Sequence, residues 1–292
     1  MHYLMIYLAM LLGAFCTLVA LTAMRRREKH NVGKFGWLVL ILLTPPIGLI
    51  LFIIFAGKKI SAEHDQRNLV ALPNPQSRNA SDDNTLAEIA VTRGIPSPSS
   101  NNRMLVHTSP QSMLRALFEL IDSAQHRLLI HTFILVDDAI GNEIVDRLCQ
   151  KARRGVQVRL MVDGFGSFLF PDESLQRVTD AGGRASRFKP VSKLSRFAYS
   201  NFRNHRKMVI ADGDRAFIGG ANLVEYEITE NPDNDTWIDY GLRIDGVAAR
   251  QVEAVFLSDW KFATGEELAT SQGEVNLGDC QPDDMATLQV VP

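Results

Sequence analysis

Asn204-His205-Arg206-Lys207-Met208-Val209-Ile210-Ala211-Asp212, followed shortly by Gly219-Gly220-Ala221-Asn222, is the stretch around which the rest of the chain is organised. Its core is His-x-Lys-x-x-x-x-Asp. Lys207 to Ala211 is apolar enough for a buried strand, and Asp212-Gly213-Asp214 is a turn signal that ends it. Side chains on a strand repeat every two residues, so His205 and Lys207 share a face. An imidazole beside an ammonium suits a phosphate: one attacks phosphorus and the other holds its oxygens. Asp212 falls at an odd offset from Lys207 and in the turn, so it is expected to orient or brace the site rather than touch phosphate. Arg215 to Ile218 reads as the return strand of a hairpin that brings Gly219, Gly220 and Asn222 back to the histidine end. Glycines let backbone approach a ligand, and the Asn222 amide can donate to a phosphate oxygen. A solvated His/Lys pair beside a hairpin is the plainer alternative, and the full constellation argues against it.

Composition narrows the setting. The 292 residues are 46% hydrophobic and 22% charged, with a net charge of -2, so no global basic field recommends a nucleic-acid partner. Cys16, Cys149 and Cys280 form neither a disulfide framework nor a zinc pattern.

The apolar residues are unevenly spread. Tyr3 to Met24 carries no charge and is long enough for a helix to cross a bilayer core of ~30 Å. A signal peptide is the competing reading, weakened by the lack of a basic leader and by Arg25-Arg26-Arg27 where a cleavage site would sit. Phe35 to Gly57 is a second uncharged block, with Trp37 as an interfacial anchor and Pro45-Pro46 as a kink. Residues 1–60 are therefore expected to form a two-helix transmembrane hairpin. Arg25, Arg26, Arg27, Lys29 and Lys34 in the connecting loop favour a cytoplasmic loop with the catalytic domain opposite, although Lys58-Lys59 pulls the other way. Residues 61–102, rich in Asn, Ser, Asp, Gln and Pro, read as a polar linker with a short helix near Thr85 to Thr92.

An alternating α/β pattern follows over 103–270. Strands are expected at Met104–His107, Arg127–Leu135, Val156–Val162, Arg184–Phe188 and Trp237–Ile244. Helices are expected from Pro110, N-capped by Ser109, to about Ser123, and at Ile140–Arg154, Asp172–Ala181 and Val247 to about Ala263. His131 reads as a core histidine, with a site-facing role as the alternative. Asp163, at the ligand-facing end of its strand, is open between a polar support for the site and a turn-former. Lys189, Lys193, Arg196, Arg203 and Arg206, interleaved with Phe188, Phe197, Tyr199 and Phe202, read as a basic, aromatic lip for anionic lipid headgroups.

The motif, the two-span N-terminus with its double proline, Gln157-Val158-Arg159-Leu160-Met161-Val162-Asp163 and Gly219-Gly220-Ala221-Asn222-Leu223 together resemble the bacterial cardiolipin synthases of the phospholipase D superfamily. The resemblance implies an α/β phospholipase D-like sheet flanked by helices, in a multi-pass protein of the bacterial inner membrane. It implies transfer of a phosphatidyl group from one phosphatidylglycerol to another through a phosphohistidine, with His205, Lys207 and Asp212 as catalytic residues. Gly219, Gly220 and Asn222 are the implied substrate-binding residues, and no metal or cofactor is called for. Phosphatidylglycerol, other anionic phospholipids and the membrane are the implied partners.

The family carries two such motifs and this chain carries one. None of His2, His30, His64, His107, His126 and His131 has a lysine two positions on. Residues 271–292 end in a strand-like run, Leu288-Gln289-Val290-Val291-Pro292, that resembles the opening of the family's second half. The expectation is a truncated chain that needs a second motif-bearing chain or a homodimer. A dimeric single-motif nuclease or phospholipase and a non-catalytic phospholipid-binding membrane protein are the alternatives. Asp212, Glu225, Asp235 and Asp239 all remain candidates to orient His205.

Overall fold

A computed structural model of the chain describes residues 13, 40, 85–92, 95–191, 203–229, 239–272, 275 and 285–291. The chain divides into two compact units, Met1–Gln66 with Ser192–Phe202 and Arg67–Val191 with Arg203–Pro292. Apart from Gly13 and Leu40, every described residue belongs to the second. The expected transmembrane hairpin falls outside the described residues, apart from Gly13 and Leu40. Among the described residues no helix is long and apolar enough to cross a membrane.

In chain order the elements are α1 (Thr85–Thr92), β1 (Ser99–His107), α2 (Pro110–Ser123), β2 (Arg127–Thr132), α3 (Ala139–Arg153), β3 (Gln157–Asp163), α4 (Asp172–Asp180) and β4 (Arg184–Phe188). Then come β5 (Met208–Ala211), β6 (Arg215–Gly219), α5 (Glu225–Ile228), β7 (Gly241–Asp245), α6 (Val247–Thr264) and β8 (Met285–Leu288). Local chemistry sets many of the boundaries. Ser109 accepts from the Ser112 N–H while the Ser112 hydroxyl accepts from the Ser109 N–H, and Pro110 occupies the first helical turn, where its missing N–H costs nothing. Asp138 caps α3 by accepting from Gly141 N at 2.7 Å. Gly246 precedes α6 with φ +140 and has no side chain to cap it. The carboxamide oxygen of Asn102, reaching over from β1, accepts from Ala248 N at 2.7 Å instead.

Among the described residues the strands form one eight-stranded sheet in the order β4-β3-β2-β5-β6-β7-β1-β8. β4, β3 and β2 run parallel, as expected for strands joined through helices, and every pairing from β2·β5 to β1·β8 is antiparallel. Alternation along the strands separates two faces. Leu128, Ile130, Val158, Leu160, Val162, Val209 and Ala211 join Met113, Leu117, Leu120 and Ile121 of α2 and Ile144, Val145 and Leu148 of α3 in one core. The opposite face is crossed by α6, whose Phe256 and Trp260 are fully buried. Helices on both faces make this an α/β/α arrangement with a mixed sheet.

The sheet reaches past both expected limits of the domain. β1 starts at Ser99, inside the 61–102 stretch, with Ser99 and Asn102 buried and Asn101 in the left-handed region at φ 60, where the register to β8 shifts. β8 comes from the 271–292 stretch and adds to the outer side of β1. The β2 strand ends at Thr132 rather than Leu135. The chain bends there, and Leu135 bridges to Leu223 instead.

Candidate active site

The motif is assembled at one end of the antiparallel ladder. Met208 pairs with Ile218 and Gly219 with Gly241, so the residues just before β5 lie beside the end of β6 and the start of β7. His205 is exposed and stacks on Phe133, with ring centroids 3.7 Å apart and an interplanar angle of 23°. The Lys207 ammonium lies 5.9 Å from the centroid of the same ring. Arg206, between them, turns the other way and pairs with Asp259 of α6 at 2.8 Å. The imidazole and the ammonium thus share one platform.

Two buried carboxylates hold the residues on either side of His205, one through backbone and one through side chains. Asp163, fully buried at the end of β3, accepts from Phe165 N and Gly166 N through Oδ1 and from Asn204 N at 3.2 Å through Oδ2. It therefore shapes its own turn and also tethers the motif. Asp259 accepts from the Asn204 side-chain amide at 2.6 Å and from Arg206 Nη1 at 2.8 Å. Each neighbour of the histidine is pinned, which fixes the ring between them. Phe133 is held in turn: Ser167 Oγ donates to its carbonyl at 3.0 Å, and a Cβ on Gly166 would meet that carbonyl at 2.3 Å.

The other expected site residues are arranged less simply. Asp212 terminates β5 at the far end from His205, about 20 Å away at the rise of a strand. With φ 54, its carboxylate accepts from Gln125, His126 and Arg127 N–H groups and pairs with Arg215 at 2.5 Å. Burial alone would push this carboxyl up, but the three N–H donors and Arg215 hold it below its usual range. Its place is that of a staple between β5 and the α2–β2 loop. Gly219 and Gly220 admit other parts of the protein: a Cβ on Gly220 would meet the Asp239 carboxylate at 1.9 Å and one on Gly219 the Tyr240 backbone carbonyl at 2.7 Å. Asn222 was expected to donate to phosphate. Instead its amide donates to Glu227 at 2.9 Å and its carbonyl oxygen accepts from Ile134 N at 3.1 Å, which brings the segment carrying Phe133 alongside.

Of the carboxylates considered as partners for His205, none of Asp212, Glu225 and Asp239 is bonded to it among the described residues, and Asp235 lies outside them. His131 is fully buried, 6.4 Å from the Phe188 ring, as a core histidine. The expected basic and aromatic lip turns inward where it is described. Phe188 is fully buried, Lys189 sits 4.8 Å above the Phe262 ring, and Arg203 is pressed between the Lys189 carbonyl and Asp163. Burial lowers the Arg203 pKa, with Asp163 opposing, and its Nε and Nη2 have no hydrogen-bond partner among the described residues. Residues 192–202 lie outside the description. Among the described residues no three His, Cys, Asp or Glu side chains gather as metal ligands.

Sequence reading missed Phe133, Asp259 and Glu227. A signal existed for Asp259, the one charged residue in the run from Ala254 to Trp260.

Comparison with known proteins points the same way as the motif. Residues 117–260 match the family "Cardiolipin synthase, PLD-like domain", and residues 11–57 match "Phospholipase_D-nuclease N-terminal". A cardiolipin synthase of Geobacillus kaustophilus is 27% identical over 89% of this chain and 56% of its own length. Cardiolipin synthase 2 of Bacillus cereus is 35% identical over 54% of this chain and 31% of its own. The crystal structure of Nuc from Salmonella typhimurium, a phospholipase D family member, is 19% identical over 56% of this chain and 96% of its own, with a TM-score of 0.44. The chain spans about half the length of the first two cardiolipin synthases it matches.

Proposed function

Since the chain belongs to the phospholipase D superfamily and carries the cardiolipin synthase domain of that superfamily, we propose that it is the first, motif-bearing half of a membrane phosphatidyltransferase. The substrates would be two phosphatidylglycerol molecules and the products cardiolipin and glycerol. The observation that carries this reading is the exposed His205 stacked on Phe133 with Lys207 over the same ring, because it sets a nucleophile beside a fixed cation.

In the proposed reaction a ring nitrogen of His205 attacks phosphorus. A P–N bond forms as the P–O bond to the departing glycerol breaks, and Lys207 balances charge growing on the phosphoryl oxygens. A general acid opposite His205 protonates the glycerol alkoxide. The same group then takes the proton from the hydroxyl of the second phosphatidylglycerol, whose oxygen displaces the imidazole. No nucleotide is consumed, because the phosphodiester energy is kept in the P–N bond. Displacement at phosphorus is roughly in line, so the acid must sit across from His205, and one histidine cannot fill both places. The second group would come from a separate half or from another copy of this chain. Separate halves are the better fit, since self-pairing demands a self-complementary surface. Residues 1–60 would hold the protein in the bacterial inner membrane as two spans.

Purified chain reconstituted with phosphatidylglycerol is expected to yield no cardiolipin by thin-layer chromatography. Co-expression with a chain bearing a second His-x-Lys-x4-Asp motif should restore synthesis, and His205→Ala should abolish it. Synthesis by the chain alone, with a rate linear in protein down to dilutions at which dimers dissociate, would refute the requirement for a second motif.

A further inference from the structure

Met208, Ile218, Leu242 and Val106 are successive cross-strand partners on β5, β6, β7 and β1, so they form one row across four strands on the face that α6 crosses. The next row inward is sealed: Ile210 and Ala216 are 0% exposed and Ile244 is 4%. The outer row is not sealed. Met208 is 5% exposed, Ile218 and Leu242 are half-buried, and Val106 is 53% exposed. Val252 and Val255 of α6 wall this row on one side, and His205, Arg206 and Lys207 line the motif end of the cleft, which has a volume of about 510 Å³. An apolar gutter therefore leads from the candidate site across the sheet, about 14 Å from β5 to β1 at ordinary strand spacing.

We propose that this groove holds one acyl chain of the phospholipid whose phosphate is engaged at His205 and Lys207. The inference rests on the proposed phosphatidyltransferase reading and assigns the lipid tail a place. The floor row has no charged side chain, so nothing on it needs a polar ligand atom. The volume falls in the range of small-molecule sites, roughly 300–1,000 Å³. A groove one side-chain row wide is too narrow for a protein interface, which needs roughly 800 Å² from each partner. Its starting point beside the phosphate-binding pair is where a glycerophospholipid presents its chains.

The test uses the full chain in nanodiscs of zwitterionic lipid containing phosphatidylglycerol with a photoactivatable diazirine on one acyl chain. Adducts should map to peptides containing Ile218, Leu242 and Val255, and should fall about tenfold in Leu242→Glu and in Ile218→Trp, each checked for an unchanged melting transition. A parallel arm measures binding of glycerophosphoglycerol, which has no acyl chains, to the wild type and Lys207→Ala. Adducts confined to residues 1–60, or unchanged in both groove variants, while chain-free binding still depends on Lys207, would overturn the groove and leave the reading of the site standing. Loss of Lys207-dependent binding as well would overturn both. Cross-links between protein copies at these peptides in place of lipid adducts would assign the groove to a second copy.

Discussion

At the scale of single residues, the site separates groups that meet the substrate from groups that hold them. Lys207 faces Phe133 with His205, whereas Arg206 and Asn204 are bound to Asp259 on the other side. With a complementing second half present, Lys207→Ala is expected to cut turnover by about a thousandfold or more, because charge developing on the phosphoryl oxygens loses its cation. Asp259→Asn should lower kcat by about a hundredfold with KM little changed, since it loosens His205 without touching phosphate. Equal losses in KM from the two variants would contradict this division. The His-x-Lys spacing was legible because a period of two puts the pair on one side of an extended chain, although β5 itself begins only at Met208. Phe133, Asp259 and Glu227 were not, because they reach the motif only through tertiary contacts, from the bend after β2, from α6 and from α5.

At the scale of elements, Asp212 links two loops that a short β5 could not hold by itself. Its carboxylate is held below the ordinary range by three backbone N–H donors and Arg215 against the opposing effect of burial. A carboxylate depressed in the folded state stabilises fully above its unfolded pKa of about 4 and loses that contribution as pH falls through the folded value. Asp212→Asn should therefore cost about 1–3 kcal/mol at pH 7 in denaturant melts of the detergent-solubilised chain, and the gap should narrow below about pH 4. A pH-independent gap would mean that shape, not charge, makes the staple. Most elements could be read from caps and periodicity, as at Ser109-Pro110 and in the buried run of β3. α5 could not, since four residues carry no period, and Ser99 to Asn102 looked like linker because the polar side chains that β1 buries find partners in its own backbone, in Ala286 and Leu288 of β8 and in α6.

At the scale of the whole molecule, the apolar blocks from Tyr3 to Met24 and Phe35 to Gly57 make a direct prediction. The full chain should stay in the pellet after carbonate extraction, and its release into the supernatant would sink the two-span reading. The sheet carries a further consequence, for synthesis on the ribosome. β2, β3 and β4 are neighbours in sequence and are complete by Phe188, so they can pair while translation continues. β1 emerges before any of them, yet its partners are β7 at Gly241–Asp245 and β8 at Met285–Leu288. At roughly 5–20 residues per second, β1 waits on the order of ten seconds with both edges bare. During that interval Arg103 to His107 is an unpaired strand open to other nascent chains, so this segment, rather than the active-site loop, is where a chaperone would first be needed.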